Sequence, residues 1–230
     1  MKLKILTSNS TRTVLDALIP AYEKSSGNSV EITADSAKAM VAKIKSGEAG
    51  DVVILGTGAL KELAEAGFVV PDSRRAFARA VVGVGVAKGT PHPDISSVDA
   101  LRKSLLAAKS IAHTLHGASG MYIPTLLEKL GIAAEIKAKT VNRPGGYIGT
   151  VVVAGEAELA LQQIPELLAV PGLEVVGPLP AEVQKTLETS VGLFSASAQA
   201  AGAQMMIDYF QQPQHAALFE SKGLEQAAHS

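Results

Sequence analysis

Four segments of the sequence combine small polar residues with the start of a predicted helix, a pattern that is typical of anion-binding sites. The first turn of a helix has unpaired backbone N–H groups and a partial positive charge, and serine or threonine adds a hydroxyl donor. Each segment alone is also explained as an ordinary helix N-cap. Four such segments together indicate a site for a small anion. The segments are Thr7–Thr11 (TSNST), Asp35–Lys38 (DSAK), Gly117–Gly120 (GASG) and Pro144–Tyr147 (PGGY).

Lys38 is the candidate for a direct charge interaction with this anion. It lies in the first turn of a predicted helix, where a cation is disfavoured unless it faces a negative charge. A lysine in contact with solvent alone is the alternative interpretation. Arg12, Arg79 and Arg143 flank the predicted site, and we expect each of them to be an ordinary surface charge.

Other kinds of catalytic or cofactor site are not indicated. The loop after Thr114 lacks the GxGxxG spacing, and the chain contains neither GxxxxGK[ST] nor the GxSxG nucleophile elbow. His113 and His116 lie close together at the end of a predicted strand, but no third metal ligand is near them in the sequence. We therefore expect no cofactor and no metal.

Short apolar strands alternate with amphipathic helices and must position these segments. The spacing of this alternation indicates βαβ units on parallel sheets. Between the two runs of strands lies Arg79–Ala87, which we interpret either as a buried strand or as a hinge strand. Leu187–Phe194 would carry the chain back to the first run of strands. The other predicted strands are Lys2–Leu6, Val30–Ala34, Asp51–Leu55, Ser110–Thr114, Lys137–Val141, Glu158–Gln162 and Leu173–Val176.

This restart of the βα pattern predicts an α/β fold with two lobes and two hinge crossovers. We place residues 1–80 and 190–230 in one lobe and residues 81–189 in the other, each lobe being a mostly parallel sheet flanked by helices. Ligands of open parallel sheets bind beyond the carboxyl ends of the strands. The anion site is therefore expected in the cleft between the lobes.

Composition and charge exclude several classes of function for this chain of 230 residues. The net charge of −1 disfavours binding to nucleic acid or to an anionic membrane surface. Aromatic residues make up only 4% and tryptophan is absent, which disfavours a stacking site for bases. No apolar run approaches the roughly 18 residues of a membrane span. We expect a monomer that binds a small anion, without nucleic acid and without membrane insertion.

Five motifs, of which TSNST is also one of the four segments above, connect the chain to a known family. They are the TSNST opening, AKIKSGEAGDVVIL, GMYIPTLLEKLG, VVVAGEAELAL and PQHAALFESKG. Their order and spacing over nearly the full length resemble the periplasmic molybdate-binding proteins of ABC transporters, which have the class II solute-binding fold. The resemblance implies hinge closure around the ligand and an ABC permease as partner. Because residues 1–6 contain no apolar signal segment, we expect a periplasmic location if a leader was removed and a cytoplasmic one otherwise.

The same resemblance implies the positions of the ligand-binding residues. Ala37 stands where the family has a serine, and Gln163 stands where it has a tyrosine. A lysine and two carboxamides suit a planar di- or tricarboxylate better than tetrahedral molybdate. The positions that match the family's site are Ser10, Ala37, Ser119, Gly145 and Gln163. Their neighbours complete the predicted ligand-binding set, namely Ser8, Asn9, Thr11, Ser36, Lys38, Gly146, Tyr147 and Gln162.

Within this family, ELALQQ followed by PELLAVPGLEVVGPLP is similar to a subgroup that includes aconitate isomerase. The resemblance implies a polycarboxylate site and leaves two functions open. The first, which we favour, is a solute-binding protein for transport. The second is an isomerase that moves a proton between allylic carbons, with Lys38 or His116 as the base. A ligand-sensing domain is a weaker third alternative, because no DNA-binding segment is attached.

Overall fold

The computed structural model describes residues 1–227. In it, alternating strands and helices form two units. Unit 1 contains Met1–Arg79 and the chain from Glu188 onward, and unit 2 contains Ala80–Leu187. The sequence-based boundaries were residues 80 and 190. The two connections between the units are strands β4 (Arg75–Ala87) and β9 (Thr186–Leu193).

Unit 1 is an α/β layer built on the strand order β2-β1-β3-β9. Strand β1 pairs in parallel with β2 and β3, while β9 is antiparallel to β3. Strand β10 pairs with Ala78 and Arg79 of β4. The strands are β1 (Lys2–Ser8), β2 (Ser29–Asp35), β3 (Val52–Gly56) and β10 (Glu225–Gln226). The helices are α1 (Asn9–Ser26), α2 (Ala37–Lys45), α3 (Thr57–Glu65), α9 (Ala200–Phe210) and α10 (Ala216–Ser221).

Apolar spacing explains why helix α1 forms and which face it packs on the sheet. Its buried residues Val14, Leu15, Leu18 and Tyr22 recur every three to four positions, which places them on one side of the helix. Burying each such side chain contributes about 1.5–3 kcal/mol. The helix ends at Gly27, whose φ of 69° allows its N–H to bond the carbonyl oxygen of Glu23.

Unit 2 repeats the α/β arrangement with the strand order β8-β4-β7-β5-β6. Strand β5 is parallel to β6 and β7, and β4 is antiparallel to β7 and β8. The strands are β5 (Ile111–Thr114), β6 (Thr140–Arg143), β7 (Leu159–Gln163) and β8 (Leu173–Pro178). The helices are α4 (Val98–Ala107), α5 (Ala118–Lys129), α6 (Ala133–Lys137), α7 (Gly149–Val153) and α8 (Ile164–Leu168).

Strand β4 is buried in its second half, where the sequence left a buried strand and a hinge strand as alternatives. Val82, Val84 and Val86 all belong to the unit 2 core. Gly83 and Gly85 admit close neighbours, since an added Cβ would lie 2.8 Å from the carbonyl oxygen of Gly177 and 2.9 Å from Leu173 Cδ2, respectively. The valine–glycine alternation is therefore explained by packing in the sheet.

Several element boundaries differ from the sequence-based predictions. The predicted strand Lys2–Leu6 extends to Ser8, so Thr7 and Ser8 end β1 and Asn9 begins α1. The predicted strand Lys137–Val141 begins only at Thr140, because the preceding residues form helix α6. Helix α7 begins only at Gly149, after the segment Pro144–Tyr147, and Gln162 bonds the backbone of Gly146 and Ile148 just before it. Within residues 1–227, no helix combines the length and apolar character needed to cross a bilayer.

Candidate functional site

The carboxyl ends of three parallel strands bring the predicted residues of unit 1 to one edge of its sheet. Ser8 at the end of β1 is level with Asp35 at the end of β2, and Thr7 is level with Ile54 of β3. Helices α1, α2 and α3 all begin there, so their unpaired N–H groups share this edge. We call the predicted residues at this edge the unit 1 donor cluster: Ser8, Asn9, Ser10, Thr11, Ser36, Ala37 and Lys38.

Only some of the serine hydroxyls in this cluster form helix N-capping bonds. Ser36 is the N-cap of α2 and accepts a hydrogen bond from the N–H of Ala39 at 3.4 Å. Ser8 is the N-cap of α1, but its side chain makes no capping bond. Its hydroxyl instead lies 3.1 Å from that of Ser10, and both residues are buried. Capping therefore explains Ser36 but not the buried Ser8–Ser10 pair.

Thr11 has a structural role at the start of α1. It is fully buried, and its Oγ1 lies 3.1 Å from the carbonyl oxygen of Ser8 and 2.6 Å from Thr7 Oγ1. Thr7 Oγ1 in turn lies 3.1 Å from the carbonyl oxygen of Ile54. These contacts join α1 to β1 and β3, so the hydroxyl of Thr11 is already used within the protein.

Lys38 supplies positive charge at the start of α2. Its side chain is exposed, and within the described residues it forms no ion pair. The nearby carboxylate of Asp35 is paired with Lys43 at 2.7 Å. Burial would raise the pKa of Asp35, but the bonds from Lys43 and from the N–H of Ser36 outweigh it and lower that pKa. Asp35 therefore stays ionised and paired with Lys43, and the charge of Lys38 is available to an anion.

Thr57 is a residue of this edge that the sequence analysis did not select. It begins helix α3, and its Oγ1 lies 2.9 Å from the hydroxyl of Ser190 on β9. A cavity of about 430 Å³ opens beside these hydroxyls and is also lined by Arg79. Arg79 is paired there with Glu188 and Glu225. The signal was available, since Thr57 follows a strand and begins a helix as Asn9 and Ala37 do.

In unit 2 the carboxyl ends of β5, β6 and β7 also lie at one edge. Thr114 is level with Arg143, and Ala112 is level with Ala160, so the ends of the three strands coincide. Helix α5 begins just beyond β5. We call the predicted residues here the unit 2 donor cluster: Ser119, Gly145, Gly146, Tyr147, Gln162 and Gln163.

Ser119 has a buried hydroxyl with no protein partner. The residue lies in the first turn of α5, is fully buried, and its Oγ forms no hydrogen bond within the described chain. The hydroxyl of Thr114 is in the same condition. Leaving a buried polar group unpaired costs about 1–3 kcal/mol. A ligand that bonds Ser119 would remove such a cost.

Two glycines bring the start of α5 onto Thr114. A Cβ at Gly117 would lie 2.8 Å from Thr114 Oγ1. A Cβ at Gly120 would lie 1.9 Å from the carbonyl oxygen of Thr114, a distance that no packing allows. The glycines of GASG are therefore required by the close approach of helix and strand.

The adjacent residues Gln162 and Gln163 have different surroundings, because successive side chains of a strand point to opposite faces. Gln162 accepts a bond from the N–H of Ile148 at 2.9 Å and donates to the carbonyl oxygen of Gly146 at 2.8 Å. Gln162 thus fixes the segment around Tyr147, where Gly146 has a φ of 83°. Gln163 instead donates from Nε2 to Glu166 Oε2 at 3.1 Å.

Glu166 is the second residue that the sequence analysis did not select. Its side chain lies on the short helix α8, and the residue is only 5% exposed. Burial raises the pKa of Glu166 to about 8, although the hydrogen bonds from Gln163 oppose this shift. The carboxyl group of Glu166, beside Gln163, can therefore hold a proton at neutral pH.

The two histidines near the end of β5 differ in their surroundings. His113 is buried, with Nδ1 2.9 Å from the carbonyl oxygen of Thr114 and Nε2 3.2 Å from Asn142 Nδ2. Burial lowers the pKa of His113, so it is a neutral structural residue. His116 is partly exposed, and its backbone N–H bonds the carbonyl oxygen of Pro144. Residues 1–227 contain no group of three or more acidic, histidine or cysteine side chains that could hold a metal ion.

The two other arginines that flank the predicted site take part in surface ion pairs. Arg12 pairs with Asp16 one turn along α1, and Arg143 pairs with Glu156. All four side chains are at least 38% exposed. Such pairs contribute little to stability, so the expectation of ordinary surface charge agrees with these contacts.

Comparison with known proteins identifies the fold and the family. The family model "Bacterial extracellular solute-binding protein" matches residues 3–225. An aconitate isomerase from Pseudomonas sp. is 33% identical over 229 residues, which cover 97% of this chain and 87% of that protein. The periplasmic molybdate-binding protein of Azotobacter vinelandii has a TM-score of 0.83 at 19% identity, covering 99% of this chain and 100% of that chain. The sulfate-binding protein SubI of Mycobacterium tuberculosis H37Rv has a TM-score of 0.77 at 18% identity, covering 97% of this chain and 86% of that chain.

These similarities agree with the resemblance found in the sequence motifs. The predicted α/β fold of the periplasmic-binding-protein type is confirmed by the structural similarity over nearly the whole chain. The family match spans both units and includes all residues of both donor clusters. The chain is therefore a member of the bacterial extracellular solute-binding protein family.

Proposed function

We propose that this protein binds a small di- or tricarboxylate anion and delivers it, in the periplasm, to an ABC permease. The observation that carries this proposal is the buried hydroxyl of Ser119, which lies in the first turn of α5 and has no hydrogen-bond partner among residues 1–227. Hydroxyl and backbone N–H donors at a helix start are suited to an anion. The family to which the chain belongs supports the role of a binding protein.

Three residues support a carboxylate rather than a tetrahedral metal oxyanion. Ala37 has no hydroxyl to offer, so the start of α2 contributes a backbone N–H and the charge of Lys38. Gln163 offers a carboxamide, which can donate to a carboxylate oxygen or accept from a hydroxyl or carboxylic acid group. Carboxylates accept hydrogen bonds with charge assistance from such donors.

A second candidate function is the isomerisation of a tricarboxylate, and a specific relative favours it. The similar protein from Pseudomonas sp. is named aconitate isomerase. Moving a double bond between allylic positions requires a base that removes one proton and an acid that returns one at another carbon. Lys38 and His116 are the predicted candidates for the base, and buried Glu166 adds a third group able to carry a proton near neutral pH.

A thermal-shift screen combined with an absorbance assay tests both functions. We expect citrate, cis-aconitate or trans-aconitate to raise Tm by several degrees, because a ligand that binds only the folded state stabilises it. Molybdate or sulfate giving a larger shift than every carboxylate would overturn the ligand assignment. Interconversion of cis- and trans-aconitate, followed in the ultraviolet, would establish the isomerase. Its absence in the presence of tight binding would favour transport.

A further inference from the structure

Glu166 is a buried acid that forms no ion pair in the described part of the chain. It lies three residues after Gln163, the N-cap of α8, and accepts hydrogen bonds from the Gln163 side chain and backbone N–H. The strands packed against α8 provide no cation. Strand β7 and the unit 2 part of β4 contain no titratable residue, and in β8 the one titratable residue, Glu174, is paired with His92. Within the described residues, the hydrogen bonds from Gln163 are thus the interactions that stabilise the ionised form of Glu166.

The protonation state of Glu166 determines what the Gln163 side chain can present. A carboxamide has a donor end and an acceptor end, while an ionised carboxylate only accepts. When Glu166 is ionised, the Gln163 NH2 must face it, as it does at 3.1 Å in the structure. The carbonyl oxygen Oε1 then faces away, and it has no hydrogen-bond partner in the described part of the chain.

The opposite arrangement forms when Glu166 takes up a proton. Its O–H can then donate to Oε1 of Gln163, and the carboxamide turns over so that the NH2 faces away from Glu166. The remaining carboxyl oxygen still accepts from the backbone N–H of Gln163, as in a capping box. An acceptor turned outward repels an anion, while an NH2 turned outward binds it.

We propose that Glu166 is a positioning residue whose proton turns the Gln163 carboxamide, so that an anion is bound together with that proton. The inference rests on the proposed function, in which Gln163 contacts the anion. The proton comes from solvent, and no bond to the ligand is made or broken. Because burial raises the pKa of Glu166 to about 8, the acid is mostly protonated at neutral pH, and the effect on affinity begins above that value.

The dissociation constant of citrate between pH 7 and 9.2 tests this coupling, since citrate is fully ionised over most of this range. For the wild type we expect Kd to rise by up to about tenfold per pH unit above pH 8, because a proton must be bound with each anion. Calorimetry at pH 8.5 in two buffers of different ionisation enthalpy should show the uptake of about three quarters of a proton, because a group with a pKa of about 8 is already about one quarter protonated at that pH. Glu166→Gln imitates the protonated acid and keeps the capping bond. The Kd of this variant should therefore change less than about threefold between pH 7 and 9.2, and its proton uptake on binding should vanish.

A wild-type Kd that stays constant over this range would overturn the inference. The same slope in Glu166→Gln would also overturn it, because groups other than Glu166 would then cause the pH dependence.

A ligand-free measurement separates this inference from the proposed function. The side-chain NH2 resonances of Gln163, assigned by their loss in Gln163→Leu, should titrate near pH 8 in the wild type and not in Glu166→Gln. If they titrate while no carboxylate binds at any pH, the coupling of Glu166 to Gln163 holds and the proposed ligand class is wrong. Resonances that do not titrate would overturn the coupling itself.

Discussion

The two donor clusters use similar residues in different electrostatic states. In the unit 1 donor cluster, the hydroxyls of Ser8, Ser10 and Thr11 are bonded within the protein, and Lys38 adds a full charge. In the unit 2 donor cluster, Ser119 is buried without a partner among the described residues, and Gln163 contacts a buried acid. The unit 1 donor cluster is therefore structurally satisfied and charged, while the unit 2 donor cluster is uncharged and has unused hydrogen-bonding capacity.

Replacing Glu166 tests the buried acid of unit 2 and should have the largest effect on stability. The pKa of about 8 in the folded protein lies above the value of 4.5 that applies when the chain is unfolded. The wild type therefore loses stability as the pH rises from 4.5 to 8, because the unfolded state releases the proton first. Glu166→Gln lacks this loss. It should match the wild type near pH 4.5 and exceed it by on the order of 4 kcal/mol at pH 9.

Urea unfolding of both proteins at a series of pH values measures this difference. Glu62→Gln is a suitable control, since Glu62 is an exposed residue paired with Lys45. A difference between Glu166→Gln and wild type that does not vary with pH would show that Glu166 ionises in the folded protein as it does in water.

Adding a methyl group near the start of α5 and near the start of α3 compares how tightly a helix packs on its sheet in each unit. Gly120→Ala should destabilise the protein by about 3 kcal/mol, because its Cβ would collide with the backbone of Thr114. Gly58→Ala in α3 meets nothing within 4 Å and should be neutral or stabilising, since alanine favours the helix. Chemical denaturation of the two variants gives both values. Equal effects would mean that the start of α5 is not packed on Thr114.

Removing the charge of Lys38 tests whether unit 1 contributes electrostatically to binding. Lys38→Ala should weaken carboxylate binding by roughly 10- to 100-fold, in line with the 1.5–3 kcal/mol of a charge-assisted hydrogen bond. Stability should be nearly unchanged, because Lys38 is exposed and has no ion pair in the described residues. Lys24→Ala, at the end of α1, is the matched control. Calorimetric Kd values that are equal for both variants would place Lys38 in solvent.

Two hydroxyl deletions should separate binding from stability at a smaller scale. Ser119→Ala should weaken binding by about 5- to 10-fold while leaving stability unchanged or raised, because it removes an unpaired buried group. Thr11→Ala should instead lower stability by about 1–2 kcal/mol, because its hydroxyl joins α1 to β1 and β3. Unfolding and binding of the two variants measure both quantities. A large stability loss in Ser119→Ala would mean that its hydroxyl is bonded within the protein.

Much of the fold follows from the sequence, because hydrophobic periodicity and turn residues act locally. The periodicity of Val14, Leu15 and Leu18 and the glycine at position 27 are sufficient to predict α1. The exact junction of β1 and α1 is less predictable, because Thr7 and Thr11 are small polar residues that are also common in loops. In the structure their hydroxyls bond each other across the junction of strand and helix.

The site is less predictable, because the state of each polar group depends on tertiary contacts. The helix-start position of Ser119 follows from the sequence, but its lack of a partner depends on how α5 packs on β5. Gln162 and Gln163 are adjacent residues of the same type, so the sequence does not distinguish their roles. Only the structure shows that Gln162 bonds the backbone of Gly146 and Ile148 and that Gln163 bonds Glu166. Glu166 itself is an acidic residue, and a glutamate is almost never fully buried unless it is paired.

Calorimetric titration with citrate, cis-aconitate, trans-aconitate and molybdate at pH 7 distinguishes a carboxylate-binding protein from one that binds a metal oxyanion. Performed under identical conditions, it compares the ligand class suggested by Lys38, Ala37 and Gln163 with the oxyanion named for a structurally similar protein. We predict that at least one carboxylate binds more than about tenfold tighter than molybdate, the factor expected from one additional charge-assisted hydrogen bond. Molybdate binding tighter than all three carboxylates would contradict the claim.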